Sequence, residues 1–319
     1  QATVVIAAGD HDIPRTTESG SIMGLFEQIG IHVAVTEPKW ITLADQDLSI
    51  LAVPDGPFPS MIHDFAVTPN WIVLPIFPLT SSMERAMGGK PPFAWEPDKG
   101  THIAFIPRNG TVADVKWVTA PACYVFHPMN HFETADGKIV VDVMKFDIAP
   151  LFPLPDGSPS SKDLPFARLT RWTFDLSGRG NTMKEEQLDD RSGEFPRFDE
   201  RFCMSDYRHG WIVAGDVTDP KTGEPRTDGL THYDLKSGKS TSYNAGKDDR
   251  FGEPIFVPRS EMAAEGDGWL LSVLYRGEER RSDLAIFEAT DLGRGPIALA
   301  HLSSRVPAGF HGNWRPGPL

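Results

Sequence analysis

The sequence predicts an all-β protein of the β-propeller class. Three observations predict it. Short runs rich in β-branched and aromatic residues recur along the chain, 29 glycines and 28 prolines punctuate them evenly, and one strand-turn unit recurs at a regular interval. In chain order the strand candidates are residues 31–36, 71–77, 102–107, 138–146, 167–176, 211–216, 231–235, 254–258, 269–275, 283–289 and 297–302. Helical signals are few, and residues 82–87 predict one turn or two. The charged stretches 179–193 and 247–250 predict solvated loops. The Pro-rich stretch 150–165 reads as a loop over one face rather than an interdomain linker, so residues 1–319 are expected to form one domain.

The repeating unit is a strand that runs into Asp-Leu and a Gly turn. Its copies are Asp175-Leu176 before Gly178, Asp234-Leu235 before Gly238, and Asp291-Leu292-Gly293. Successive aspartates stand 59 and 57 residues apart, close to the length of a four-stranded blade with long loops. At that period the 319 residues account for about five to six blades.

Composition narrows the functional classes. The 31 Lys plus Arg against 44 Asp plus Glu leave a net charge of −13, with no basic block, so phosphate backbones and anionic membrane surfaces are repelled. The longest apolar runs, such as residues 71–77, fall far short of the roughly 20 residues that cross a bilayer, so no transmembrane span is expected. Cys123 and Cys203 are the only cysteines. Two cysteines without a CxxC pair point to a reducing, cytoplasmic setting rather than to a disulfide framework or a thiolate zinc site. The chain opens at Gln1 without a signal-peptide pattern, which reads as a processed or trimmed start.

Among ten histidines, three stand in apolar surroundings: His63 in MIHDFAVT (61–68), His127 in VFHPMNHFE (125–133) and His311 in GFHGNW (309–314). Burying an imidazole with an unpaired nitrogen costs on the order of 1–3 kcal/mol. A metal on one nitrogen and a carboxylate on the other meets that demand. Glu194 in GEFPRFD (193–199) and Glu253 in GEPIFVPR (252–259) are single acids followed by apolar residues, which suits such a carboxylate, although a turn acid has the same appearance. Asp64, beside His63, would face the opposite way on a strand and so could not easily share its metal.

These segments, with EGDGWLLSVLY (265–275), resemble in order the motifs of the carotenoid cleavage oxygenase family. FPLT (77–80), WEP (95–97) and ARLTRW (167–172) are most similar to its stilbene- and phenylpropene-cleaving branch, that of the lignostilbene dioxygenases and isoeugenol monooxygenase. The resemblance runs from about residue 45 to the end. It implies a seven-bladed propeller, here incomplete at its N-terminal end, whose innermost strands place four histidines around Fe(II). Carried over by motif, His63, His127 and His311 correspond to the second, third and fourth ligands. The family's Ala-His-Pro-Lys motif for the first is absent, and His11, 52 residues before His63, is the candidate. Glu194 and Glu253 correspond to two of the three glutamates that accept ring N–H groups; the third would lie upstream. Phe126 and Phe310, each beside a ligand histidine, become candidate substrate-lining residues. His131 replaces the family's alanine and reads as a neutral surface change or a neighbour of the site.

The implied reaction adds both atoms of O2 across an electron-rich C=C bond of a stilbene, phenylpropene or apocarotenoid, giving two carbonyl products without an organic cofactor. Two other readings compete. One is a metal-free or inactive propeller module that has lost the first-ligand region. The other is a Ca²⁺-dependent hydrolase using Asp64, Asn130 and Glu194, but that chemistry wants oxygen ligands. Neither the substrate nor the oligomeric state is legible in the residues.

Overall fold

The structure is a computed structural model. It describes residues 56–314 apart from 163–165, 179 and 216–226, together with three short strands near the N-terminus. Those three are β1 (Ile6–Ala7), β2 (Ile41–Ala44) and β3 (Ile50–Val53), which pair in the order β1-β2-β3. The strand candidate at 31–36 lies outside the described residues.

Antiparallel sheets of four or five strands follow one another along the chain, the sheet arrangement of a β-propeller. The first is β4 (Ala66–Val67), β5 (Trp71–Ile76), β8 (Thr101–Pro107) and β9 (Lys116–Ala120). Between β5 and β8 the hairpin β6 (Leu79–Ser81) and β7 (Phe93–Trp95) carries the short helix α1 (Met83–Met87). Ser82 caps α1 by accepting the Arg85 N–H at 3.2 Å, which stabilises a helix of only five residues. The second sheet is β10 (Tyr124–Glu133), β11 (Ile139–Phe146), β12 (Arg168–Asp175) and the first half of β13 (Thr182–Phe198). The second half of β13 opens the third sheet, with β14 (His209–Ala214), β15 (Gly229–Asp234) and β16 (Lys239–Asn244). The fourth holds β17 (Arg250–Phe251), β18 (Ile255–Pro258), β19 (Gly268–Arg276), β20 (Arg281–Glu288) and β21 (Ala298–His301), with β17 and β18 both pairing β19.

One expectation is overturned here. The stretch 179–193, read as a solvated loop, is largely strand, because β13 is a 17-residue strand that pairs β12 up to Ser192 and β14 from Gly193. Its Thr182–Asp190 part forms a largely exposed outer edge that packs only Met183 and Leu188 against the core, so charged and polar residues dominate it and the alternating signal of a half-buried strand is missing. The stretch 247–250 is irregular up to Arg250, which begins β17, and residues 150–162 form a loop. That loop is tied to β7 by the Trp95 N–H to Pro153 carbonyl bond at 2.8 Å.

The Asp-Leu repeat marks corresponding places. Asp175 ends β12 and Asp234 ends β15, each the third strand of its sheet, and Asp291 lies three residues beyond β20, the third strand of the last.

Apolar side chains fill the spaces between sheets. A large cluster that includes Phe105, Tyr124, Val141, Leu169 and Phe174 joins the first sheet to the second and reaches the third. A second cluster joins the third sheet to the fourth around Trp211, which is fully buried, stacks on Phe256 at 5.0 Å and donates its indole N–H to the Ala289 carbonyl at 2.7 Å. Removing such a tryptophan costs about 3–5 kcal/mol. Cys123 is buried beside Thr101 and Cys203 is exposed; both are free thiols.

Candidate metal centre

Three histidines lie together, one from β10 and two from segments flanking β4 and β21. His127 projects from β10 where the strand is bulged: the pairing with β11 shifts between Val125 and Pro128 and again between Pro128 and Asn130. A proline at 128 donates no ladder bond, and the bulge re-aims the neighbouring side chain. His63 stands in the irregular segment just before β4, and His311 in the irregular segment after β21. The expectation that each histidine rides on an innermost strand therefore holds for His127 alone. One ring nitrogen of each histidine lies within 4.8 Å of the other two. The His127 ring is 5.1 Å from that of His63 and 4.9 Å from that of His311, both edge-on.

Two carboxylates orient two of the rings. His127 Nδ1 lies 2.6 Å from Glu194 Oε2, and His311 Nδ1 lies 3.2 Å from Glu253 Oε1. Glu194 Oε2 also accepts the Phe195 N–H at 2.6 Å, and Glu253 Oε2 accepts the Gly312 N–H at 2.9 Å. Each carboxylate thus fixes a ring and the backbone that carries or neighbours it. A second bulge, between Glu194 and Arg197 in the β13–β14 pairing, sets this up. Phe195 sits there with φ of 54°, a left-handed conformation that is costly for a bulky residue. Its ring stacks on His127 at 5.7 Å and meets His311 edge-on at 5.8 Å.

Electrostatics separates the three imidazoles. Crowding of the His63 ring by protein, reinforced by the neighbouring His127 and His311, lowers its pKa from 6.5 to about 4. Burial also disfavours a charged His127, but the Glu194 carboxylate more than offsets it and raises the pKa above its usual value. His127 Nε2 is buried with no hydrogen-bond partner among the described residues. With Nδ1 committed to Glu194, that nitrogen is the one left to donate an electron pair. Neutral imidazole nitrogens suit iron, zinc, copper or nickel, so the donor set fits a divalent transition-metal ion.

Asp64 does not join the cluster. It bonds the Phe65 N–H at 2.8 Å and lines an apolar cavity with Ala66, Phe77, Phe126 and Trp172, while burial raises its pKa. Phe126 packs edge-on against His63 at 5.0 Å as well as lining that cavity. Phe310 is 78% exposed, its ring 6.5 Å from that of His311. His11 lies outside the described residues. His131 is half-buried, its Nδ1 has no partner among the described residues, and burial lowers its pKa to about 4. The roles of Phe195, Arg197 and Asn313 escaped the sequence reading, although all three lie inside its motifs GEFPRFD and GFHGNW.

The family described as RPE65, retinal pigment epithelial membrane protein, matches residues 19–316 of the chain. The chain belongs to this family. Among RPE65-family relatives, isoeugenol monooxygenase of Pseudomonas putida is 38% identical over 270 residues, covering 81% of this chain and 55% of that protein. The crystal structure of Pseudomonas brassicacearum lignostilbene dioxygenase superposes with a TM-score of 0.78 at 36% identity, over 85% of this chain and 58% of that one. Cobalt-substituted Synechocystis ACO, an apocarotenoid oxygenase, gives 0.71 at 30% identity, over 85% and 57%. The chain spans about half the length of the relatives it matches. Among its described residues no helix is long and apolar enough to cross a membrane.

Proposed function

We propose that the protein is a non-haem Fe(II) oxygenase that cleaves an electron-rich C=C bond of a small aromatic or apocarotenoid alkene with O2. The alkene and O2 combine atom for atom into two carbonyl products. The observation that carries this reading is the convergence of ring nitrogens from His63, His127 and His311, two of them backed by Glu194 and Glu253.

His63, His127 and His311 would hold the iron, with His11 as the candidate fourth ligand. Ferrous iron bound there supplies the redox chemistry by which O2 attacks an alkene. Glu194 and Glu253 hold the tautomer and tilt of their rings and contribute negative charge that strengthens the donors. Phe126 and Phe195 flank the histidines with apolar surface, which keeps water from competing beside the reacting centre. The isoeugenol, lignostilbene and apocarotenoid relatives support an alkene conjugated to an aromatic ring or polyene. The nitrogen cluster and these relatives favour an oxygenase over a metal-free module or a calcium site.

The test is to reconstitute the protein with Fe²⁺ under argon, then supply isoeugenol or a hydroxystilbene with ¹⁸O2. One equivalent of bound iron and aldehyde products carrying ¹⁸O are expected. Protein that binds no metal, or binds it and leaves every such alkene intact, would refute the proposal.

A further inference from the structure

We infer that Arg197 is a positioning residue of the metal centre, a latch that presents His311 to the metal. The inference rests on the metal-site reading above. His127 is held by a sheet ladder, whereas His311 belongs to an irregular segment following β21. Something other than a ladder must fix that segment if its ring is to stand beside the other two.

Arg197 occupies the place to do it. It lies on β13 three residues after Glu194, at the far end of the same bulge. Its Nη1 is 3.4 Å from Glu253 Oε1, the oxygen that faces His311 Nδ1. Its Nη2 donates to Glu200 Oε1 at 2.6 Å and to Asn313 Oδ1 at 3.2 Å. Asn313 Oδ1 also accepts the Trp314 N–H at 2.8 Å, which locks the residue's own turn. One guanidinium thus grips the carboxylate that orients His311 and the side chain two residues beyond it. Glu253 is 6% exposed and Arg197 17%, so water screens the pair weakly.

The planar fork matters. A guanidinium sets one nitrogen in an ion pair with Glu253 while another donates to the Glu200–Asn313 pair, whereas an ammonium is a point charge on a flexible stem. The stretch Glu194 to Arg197 then orients both ends of the cluster: Glu194 holds His127, Phe195 touches both rings, and Arg197 secures His311 through Glu253 and Asn313.

The experiment uses Co²⁺-loaded protein and times cobalt release to excess chelator, with the visible d–d spectrum recorded for each variant. Arg197→Ala is expected to release cobalt about 10-fold faster or more. Its spectrum should move toward that of His311→Ala. Arg197→Lys should fall between wild type and Arg197→Ala. Asn313→Ala, a change on an exposed segment that leaves the core intact, should shift release and spectrum the same way by less, and it decides the matter should Arg197→Ala fail to fold. Wild-type release and spectrum in Arg197→Ala, or in Asn313→Ala where only that variant folds, would overturn the latch while leaving the metal site standing. Wild-type protein that takes up no cobalt overturns the metal-site reading first, and the latch with it.

Discussion

Glu194 lies 2.6 Å from His127 Nδ1, while Nε2 of the same ring is buried without a partner among the described residues. A neutral imidazole whose N–H is fixed in this way presents its lone pair in one direction only. Glu194 Oε2 is shared with the Phe195 N–H, so the carboxylate is itself held rigid by the bulge it sits on.

Removing that carboxylate should therefore weaken metal binding without emptying the site. Glu194→Gln is expected to lower affinity about 10–100-fold, and Glu253→Gln similarly. His127→Ala or His63→Ala should abolish retention. Iron content after equilibration with a graded chelator series checks this, and wild-type iron in His127→Ala would refute the ligand assignment.

Gly193→Ala should disturb the same site from the backbone side. A Cβ at 193 would meet Ile212 and stand 2.7 Å from the Val213 carbonyl oxygen, just where β13 passes from one sheet to the next. The strand must shift, at a cost of about 1–3 kcal/mol. Thermal unfolding should show the loss, and metal affinity should fall with it because Glu194 is the next residue.

The second sheet holds a buried charge whose removal from one side should be severe. Asp142 is fully buried and accepts Arg171 Nε and Nη2 and the Tyr207 hydroxyl, each at 2.7 Å. Asp142 and Arg171 are also cross-strand neighbours between β11 and β12. Arg171→Leu is expected to cost about 3–5 kcal/mol in urea unfolding, because a carboxylate stays buried without its cation. Adding Asp142→Leu should recover part of that loss, and a double variant as unstable as the sum of the singles would show that the charge was not the cause.

Acid should destabilise the third sheet through a histidine pair. His209 Nδ1 lies 2.9 Å from His232 Nε2, and both residues are buried beside Trp211. Burial, and then the His209 charge, lower the His232 pKa from 6.5 to about 4. Between those values the unfolded chain binds the extra proton, so stability is fully present above about pH 6.5 and declines as pH falls toward 4. At 1.36 kcal/mol per unit the loss is on the order of 3 kcal/mol. His232→Asn should flatten the pH dependence of unfolding free energy across that window, and an unchanged slope would count against the assignment.

About half of the described strands were legible, because their signals are local. The candidates at 102–107, 167–176, 269–275 and 283–289 match β8, β12, β19 and β20 to within two residues at either end, since β8 is a continuous apolar run buried on both faces and the other three bury largely alternating residues. The charged first half of β13 was not legible, because a largely exposed edge strand with only Met183 and Leu188 packed inward carries no alternating burial pattern. At the site, the histidines and glutamates were read from motifs in which an imidazole or a single acid interrupts apolar residues. Arg197 and Asn313 carried no such mark, since a lone Arg and a lone Asn look the same whether they face water or a buried carboxylate.

The sequence by itself determined the all-β class and marked His63, His127 and His311 as candidate ring donors, because hydrophobic alternation, turn residues and motif spacing are written along one dimension. Only the tertiary structure decided which carboxylate meets which ring, that Asp64 turns to an apolar cavity instead, and that one bulged stretch of β13 serves two histidines 184 residues apart. The reason is physical: a hydrogen bond forms or fails within a few tenths of an ångström, and bulges and sheet crossings that set such distances depend on how whole sheets pack.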